Sequence, residues 1–225
     1  MSSHGIFLFD IDGTLMRRTG PFHGEALIEA VRRCTGHATT LDGIPVHGQL
    51  DRDIVTEMLA ATGCERDAIE RSLADILRTA GEIYPDTCPD LRSKVLPGVV
   101  DLLEELSGNG HKVGLVTGNV ARIGWTKVER AGIRHHFGFG AFADMGRTRG
   151  ELARMAFEMA GGTDPARVTL VGDAPSDVAA AKENGFRMVA VATGMTSREN
   201  LESLLPDFVL TDLSSNEDRA RVVSY

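Results

Sequence analysis

The sequence of 225 residues lacks an excess of positive charge, a cysteine motif and a long hydrophobic run. Its 24 lysines and arginines are outnumbered by 32 acidic residues, which gives a formal net charge of -8. A basic footprint for nucleic acid and a polybasic patch for membranes are therefore both absent. The longest apolar stretches have the length of a strand, whereas roughly 20 apolar residues are needed to span a bilayer. We expect small-molecule partners, no nucleic acid and no membrane.

The three cysteines, Cys34, Cys64 and Cys88, are odd in number and widely spaced. They form neither a metal-ligand pattern nor a C-x-x-C motif, so we interpret them as reduced thiols. Residues 1–5 lack the charged and apolar regions of a signal peptide. Both observations indicate a cytoplasmic protein, and neither distinguishes a monomer from a small homo-oligomer.

The chain from Val95 onward alternates short apolar segments with helical patterns, which is typical of a parallel α/β sheet. Its hydrophobic content of 42% is sufficient for a well-packed core. Thr196 and Glu199 form a candidate capping box for the last predicted helix, and the tail after Ser214 is expected to be loosely held. The predicted strands are 113–117, 138–143, 168–172, 188–192 and 208–210, and the predicted helices are 120–131, 149–160, 175–184 and 196–205.

Residues 16–92 have a different pattern, with helical periodicity and no convincing strand. Because this block interrupts the chain after the first strand, we expect a small all-helical domain inserted into a core of residues 1–15 and 93–225. The stretch 89–97, which has a proline near each end, fits a hinge-like linker. The helices predicted in the block are 22–35, 51–62 and 66–84.

Two aspartates stand directly after the first predicted strand. The apolar residues 6–8 are followed by FDIDGTL at 9–15, which places Asp10 and Asp12 at the strand's end and a glycine at the turn. Strand side chains alternate, so the two carboxylates would share a face. The pair suits one carboxylate as nucleophile and the other as proton carrier, with a cation between them and the substrate. Taken alone, the segment is also typical of an acidic turn.

Polar residues end a second predicted strand as well. Thr117 offers a hydroxyl, Gly118 lets its backbone approach an anion closely, and Asn119 adds an amide that can donate to an oxyanion. On its own this triplet is more typical of a turn. Ligands of open parallel sheets bind at the carboxyl ends of the strands, so polar residues at several of these ends indicate one shared site.

A third group of polar residues follows the predicted strand 168–172. Asp173 and Asp177 are four residues apart at a helix start and can point the same way. With Asp10 they would make an all-oxygen site, which suits Mg²⁺. Alone, such acids are more typical of helix starts, where they complement the helix dipole.

Two arginines, Arg147 and Arg149, lie at the start of another predicted helix. An arginine at this place can neutralise charge between a phosphorylated group and the aspartates. Whichever of the two has no such role would be a solvated residue before the helix.

Together these segments resemble the motifs of the haloacid dehalogenase-like superfamily, aspartate-nucleophile phosphohydrolases with a Rossmann-like core. The first motif is matched by DIDGT at 10–14, the second by TGN at 117–119 and the fourth by GDAPSD at 172–177, in the family's order. The third motif departs from the family, which most often has a lysine there. Counting back from the following helix places Arg147 at that position, with Arg149 as the alternative.

The resemblance implies a Rossmann-like parallel sheet core with an inserted helical cap, and a Mg²⁺-dependent phosphatase acting on a small phosphorylated metabolite. Asp10 would attack phosphorus to form an aspartyl-phosphate, while Asp12 protonates the leaving oxygen and later activates water. Asp10, the Asp12 carbonyl and Asp173 would hold Mg²⁺, and Asp177 would support its waters. The residues expected around the phosphate are Thr117, Arg147 or Arg149, Gly118 and Asn119.

Substrate choice should lie in the cap, because the core residues read only the phosphate. The segment GQLDRD at 48–53 resembles the cap segment of phosphoglycolate phosphatases and β-phosphoglucomutases. We expect His23, Gln49, Asp51 and Arg52 to face the site, although each also suits an exposed helix start. A sugar phosphomutase shares every motif and is the nearest alternative. A non-catalytic phosphate-binding protein is a further alternative, which a missing nucleophile or metal carboxylate would favour, and neither is missing.

Overall fold

A computed structural model, which describes residues 4–224, has a six-stranded parallel sheet at its centre. The strands are β1 (Ile6–Phe9), β2 (Lys112–Val116), β3 (Phe139–Ala141), β4 (Val168–Gly172), β5 (Arg187–Val191) and β6 (Phe208–Leu210). Their order across the sheet is β3-β2-β1-β4-β5-β6, and every neighbouring pair is parallel. The α/β fold predicted from the alternation of strands and helices is confirmed.

Three helices fill the segment between β1 and β2 for which the sequence predicts an inserted helical domain. They are α1 (Phe22–Thr35), α2 (Asp51–Ala61) and α3 (Arg66–Thr87). The chain leaves the sheet and returns to it along two adjacent linkers. Met16 forms an antiparallel bridge with Val95, and the Arg17 backbone N–H donates to the Lys94 carbonyl at 2.9 Å. The inserted helices are therefore joined to the sheet at one narrow place.

The remaining helices surround the sheet and bury its central strands. They are α4 (Val99–Gly108), α5 (Ala121–Arg130), α6 (Arg149–Met159), α7 (Pro175–Asn184), α8 (Arg198–Ser203) and α9 (Asn216–Val223). Every residue of β1 and β4 is buried. Both strands are nearly continuous apolar runs, which is typical of parallel sheets covered on both faces.

The prediction of a loosely held tail after Ser214 is wrong, because the tail forms helix α9. The side chain of Ser215 caps this helix, and Val222 on it is fully buried. Arg187 of β5 donates to the Val222 carbonyl at 2.8 Å. These contacts tie the C-terminal helix to strand β5.

The capping box predicted at Thr196 is also wrong, since helix α8 begins later. Ser197 is the N-cap, and its hydroxyl accepts from the Asn200 backbone N–H at 3.2 Å. The hydroxyl of Thr196 lies 2.8 Å from Nε2 of His47. Thr196 therefore contacts the inserted segment and does not cap the helix.

Cys34, Cys64 and Cys88 are free thiols, in agreement with the sequence interpretation. Within residues 4–224, none of the helices combines the length and apolar character that crossing a membrane requires.

Candidate active site

Three neighbouring strands bring polar residues together at their carboxyl ends, which form one edge of the sheet. Strand β1 lies between β2 and β4, so Asp10, Thr117 and Asp173 follow adjacent strands. The Asp10 backbone N–H donates to the Val171 carbonyl at 3.0 Å, which extends the β1–β4 ladder to the aspartate. The hydroxyl of Thr14 donates to Oδ1 of Asp173 at 2.8 Å and links the turn after β1 to the end of β4.

Asp10, Asp173 and Asp177 form a buried acidic cluster at this edge. One carboxylate oxygen from each residue lies within 4.8 Å of those from the other two. Space for Asp173 depends on two glycines. A Cβ at Gly13, whose φ is 92°, would lie 2.4 Å from Oδ2 of Asp173, and a Cβ at Gly194 would lie 1.7 Å from the same atom. Any larger residue at either position would displace this carboxylate.

Arg149 only partly neutralises the three carboxylates of the acidic cluster. Burial raises the pKa of Asp173 to about 8, and the neighbouring Asp10 and Asp177 add to the effect. Burial likewise raises the pKa of Asp10 to about 6, although Arg149 opposes the shift. Among the described residues, Oδ2 of Asp173 is buried without a hydrogen-bond partner. A cluster of this kind favours a bound cation.

The structure places Arg149, and not Arg147, in the cluster. The buried guanidinium of Arg149 lies 3.2 Å from Oδ1 of Asp10 through Nη1 and 3.2 Å from Oδ1 of Asp177 through Nε. Arg147 is exposed, and its backbone N–H donates to the Glu151 carboxylate at 2.7 Å. The hydroxyl of Thr148 caps α6, so the helix begins at 149 and Arg147 precedes it. The sequence-based preference for Arg147 therefore differs from the observed arrangement.

A buried lysine that the sequence analysis missed also lies in the site. Lys127 on α5 is 1% exposed, and its Nζ lies 2.5 Å from Oδ2 of Asp12. Lysine is rarely buried without a partner, and here Asp12 is that partner. The available signal was its position four residues after the buried Ile123, on the apolar face of an amphipathic helix.

Two cap residues named from the sequence, His23 and Asp51, lie beside this lysine. Nδ1 of His23 is 3.2 Å from Nζ of Lys127, and Nε2 of His23 is 2.9 Å from Oδ1 of Asp51. The other oxygen of Asp51 accepts from the Val120 backbone N–H at 2.8 Å. Charged and polar groups therefore run without interruption from Asp12 into the inserted helices.

Thr117 and Asn119 lie where the sequence predicts, next to the first aspartates. The Asn119 amide donates to Oδ2 of Asp12 and to the Thr117 hydroxyl, both at 3.0 Å. Because the Thr117 oxygen accepts this bond, its hydrogen remains able to donate to an anion.

Gly118 lines the cavity and also contacts the inserted segment. A Cβ at this position would lie 2.1 Å from the Gln49 carbonyl oxygen, and the Asp51 backbone N–H donates to the Gly118 carbonyl at 2.7 Å. The missing side chain therefore allows close approach of the inserted segment to the core.

Of the other two cap residues predicted to face the site, Gln49 and Arg52, the first lies at the site and the second does not. Gln49 lines the cavity, whereas Arg52 lies in a separate groove and donates to the Gly146 carbonyl at 3.3 Å. His47, which the sequence analysis did not name, reaches the acidic cluster, with its Nε2 3.8 Å from Oδ2 of Asp173. Burial lowers the pKa of His47.

A cavity of about 450 Å³ lies between the edge of the sheet and the inserted helices. Its core side includes Asp10, Asp12, Arg149 and Asp173. Pockets that hold small-molecule ligands have volumes of roughly 300–1,000 Å³. The arrangement suits the binding of one small anionic molecule together with a cation.

Comparison with known proteins agrees with this geometry. The phosphoglycolate phosphatase of Synechococcus elongatus is 27% identical over 208 residues, which cover 90% of this chain and 91% of that protein. The phosphoglycolate phosphatase of Mesorhizobium japonicum is 28% identical over 202 residues, which cover 87% and 86%. The structure of β-phosphoglucomutase from Clostridium difficile shares the fold, with a TM-score of 0.72, 17% identity, and coverage of 97% of this chain and 98% of that one.

The family assignment follows from a match to most of the chain. Residues 5–185 match the model of the haloacid dehalogenase-like hydrolases. This range contains all four motif positions, from Asp10 to Asp177, together with the inserted helices. The chain is an enzyme of the haloacid dehalogenase-like hydrolase family.

Proposed function

We propose that this enzyme is a Mg²⁺-dependent phosphatase that hydrolyses a small phosphorylated metabolite through an aspartyl-phosphate on Asp10. The observation that carries the proposal is the buried cluster of Asp10, Asp173 and Asp177, which faces the cavity next to Asp12. The family assignment and the relatives named phosphoglycolate phosphatases support hydrolysis of a phosphate ester.

The donor set fits Mg²⁺. All its side-chain donors are carboxylate oxygens, the hard ligands that this ion prefers. One of these oxygens, Oδ2 of Asp173, is buried without a hydrogen-bond partner among the described residues. Asp10, Asp173 and the Asp12 carbonyl would hold the ion, and Asp177 would support its waters. When bound, Mg²⁺ supplies positive charge that offsets the phosphate and the carboxylates.

The first chemical step would be attack on phosphorus by the Asp10 carboxylate. A bond forms between an Asp10 oxygen and phosphorus, and the bond from phosphorus to the alcohol oxygen breaks with its electron pair. Asp12 donates a proton to that oxygen, so a neutral alcohol leaves. Asp12 is then an anion and takes a proton from water, whose oxygen attacks phosphorus and releases phosphate, restoring Asp10.

The surrounding residues would bind the phosphoryl oxygens. The Arg149 guanidinium is oriented by Asp10 and Asp177, and the Thr117 hydroxyl has a hydrogen to donate. Phosphoryl transfer needs little beyond such positioning and charge neutralisation.

Lys127 would control the protonation of Asp12. Although burial acts to raise the pKa of Asp12, Lys127 and then His23 hold it below its usual value. The substrate-free site therefore favours the Asp12 carboxylate. A phosphate dianion brings negative charge close to Asp12 and favours the protonated form needed to release the alcohol.

Residues 16–92 would act as a cap that opens for substrate and closes for chemistry. The narrow connection at Met16 and Val95 provides a hinge, and the contact of Gln49 and Asp51 with Gly118 marks the closed position. Closure would exclude water other than the attacking molecule.

The test is phosphate release from p-nitrophenyl phosphate and a panel of small phosphomonoesters, with Mg²⁺ or EDTA. We expect Mg²⁺-dependent release by the wild type and by Asp86→Asn, an exposed control, and none by Asp10→Asn. A folded, metal-binding protein that releases no phosphate from any compound would contradict the proposal. Conversion of glucose 1-phosphates without net phosphate release would instead establish the mutase alternative.

A further inference from the structure

The inserted segment contributes an aliphatic wall to part of the cavity. Five aliphatic side chains line it, and all come from α1, α2 and the segment that connects them. These side chains are Leu27, Ile28, Leu41, Val46 and Ile54. The inserted segment also lines the cavity with polar residues, among them His23, Glu25 and Gln49, whereas the residues that would bind phosphate belong to the core.

Side-chain packing within the inserted segment holds this aliphatic wall in place. Gly24 lies inside helix α1, where glycine costs about 1 kcal/mol relative to alanine. A Cβ at Gly24 would lie 2.5 Å from Cδ1 of Leu41. The glycine therefore allows the Leu41 side chain to lie directly against α1, and both residues line the cavity.

The buried cations of the cavity already have acidic partners. Lys127 pairs with Asp12, and Arg149 pairs with Asp10 and Asp177. His23, which is partly buried, contacts Asp51 at 2.9 Å. The other arginines of the cavity, Arg17 and Arg18, are exposed to solvent. Among residues 4–224, therefore, no unpaired cation is buried where it could meet a carboxylate on a short leaving group.

We infer that the substrate's leaving group is an uncharged, apolar alkyl or aryl group longer than two carbons. This inference rests on the proposed function and names the substrate class of the same site. The aliphatic wall would desolvate such a group, while a carboxylate in the same place would lose its hydration without gaining a cation. The wall thus favours a different leaving group from that of phosphoglycolate.

The experiment measures kcat/KM with Mg²⁺ for methyl, propyl and pentyl phosphate, for benzyl phosphate and for phosphoglycolate. Burial of each added methylene is expected to raise kcat/KM about fourfold until the wall is covered. Phosphoglycolate should be at least about tenfold poorer than propyl phosphate. A series that does not rise with chain length, or phosphoglycolate as the best substrate, would overturn the inference and leave the phosphatase proposal intact.

Variants of the wall separate apolar contact from a general loss of structure. Leu41→Asn should lower kcat/KM for pentyl phosphate on the order of tenfold and leave methyl phosphate within about twofold, because a methyl group is too short to reach the wall. Leu41→Met, which conserves volume, is the matched control and should retain the chain-length dependence. Val46→Thr tests the same wall with a smaller risk to folding.

Each outcome is decisive for one of the two proposals. Equal losses on methyl and pentyl phosphate in a folded Leu41→Asn or Val46→Thr would contradict the apolar subsite. Hydrolysis of none of the esters by the wild type, with p-nitrophenyl phosphate also intact, would overturn the phosphatase proposal and with it the inference.

Discussion

The acidic cluster predicts that the metal-free enzyme loses stability as pH rises. Asp173 has a pKa of about 8 in the folded chain and a usual value of 3.8. Between these values the folded state holds a proton that the unfolded state has released. The free energy of unfolding therefore falls as pH increases through this window, which is the opposite of the behaviour of a salt-bridged carboxylate.

The size of the effect follows from a difference of one bound proton between the folded and unfolded states. Each pH unit in the window lowers the free energy of unfolding by roughly 1.4 kcal/mol. From about pH 5.5 to about pH 7.5 the loss is therefore about 3 kcal/mol, and for a chain of this size it lowers Tm by about 5–10 °C. Asp10, whose pKa is about 6, adds a smaller loss at the acidic end of the range.

The assay is thermal unfolding followed by circular dichroism, in EDTA or in saturating Mg²⁺, across this pH range. Stability in EDTA should fall with pH, and the rise in Tm caused by Mg²⁺ should be larger at the higher pH because the ion binds the deprotonated carboxylates. Asp173→Asn removes the titrating group and should flatten the dependence in EDTA. A Tm in EDTA that is constant or rises with pH, or an unchanged slope in Asp173→Asn, would refute the reasoning.

Three further predictions concern individual side chains. Arg149→Met should lower kcat/KM about 10²-fold or more because it removes the cation at the phosphate site, while Arg147→Met stays within about twofold; equal losses would contradict the assignment. Lys127→Met should move the acidic limb of the pH profile of kcat to higher pH, because loss of the lysine raises the pKa of Asp12, which must be an anion to activate water; an unshifted profile would count against this role. Gly118→Ala should raise KM severalfold while Tm changes little, because the added Cβ would clash with the Gln49 carbonyl of the closed cap. An unchanged KM in the same steady-state assay would exclude that contact.

Short-range patterns were sufficient to predict the sheet and the acidic cluster. A buried parallel strand needs an apolar run, and a site at its carboxyl end needs polar residues immediately after it. Both features are local, so Asp10 and Asp173 were found from their neighbours alone. The inserted helices were found in the same way, from their periodicity.

The third motif depended on information that is not local. The helix start at 149 agrees with the prediction, so it does not decide between Arg147 and Arg149. Arg149 is identified by its contacts with Asp10, which is 139 residues away in sequence, and with Asp177. Spacing to the helix alone could not show this.

Lys127 and the C-terminal helix were missed for a similar reason. A lysine on the apolar face of α5 is explained only by Asp12, which is 115 residues away in sequence. Helix α9 has a mostly polar sequence, and its position depends on contacts such as that between Arg187 and the Val222 carbonyl.

The position of β1 between β2 and β4 has a consequence for synthesis of the chain. Ile6 pairs with Lys112 on one side and with Val168 on the other. This wholly apolar strand is made first, and both of its partners are made much later. At about 5–20 residues per second, several seconds pass before the second partner exists. During that time the N-terminal strand is a candidate for binding by a chaperone.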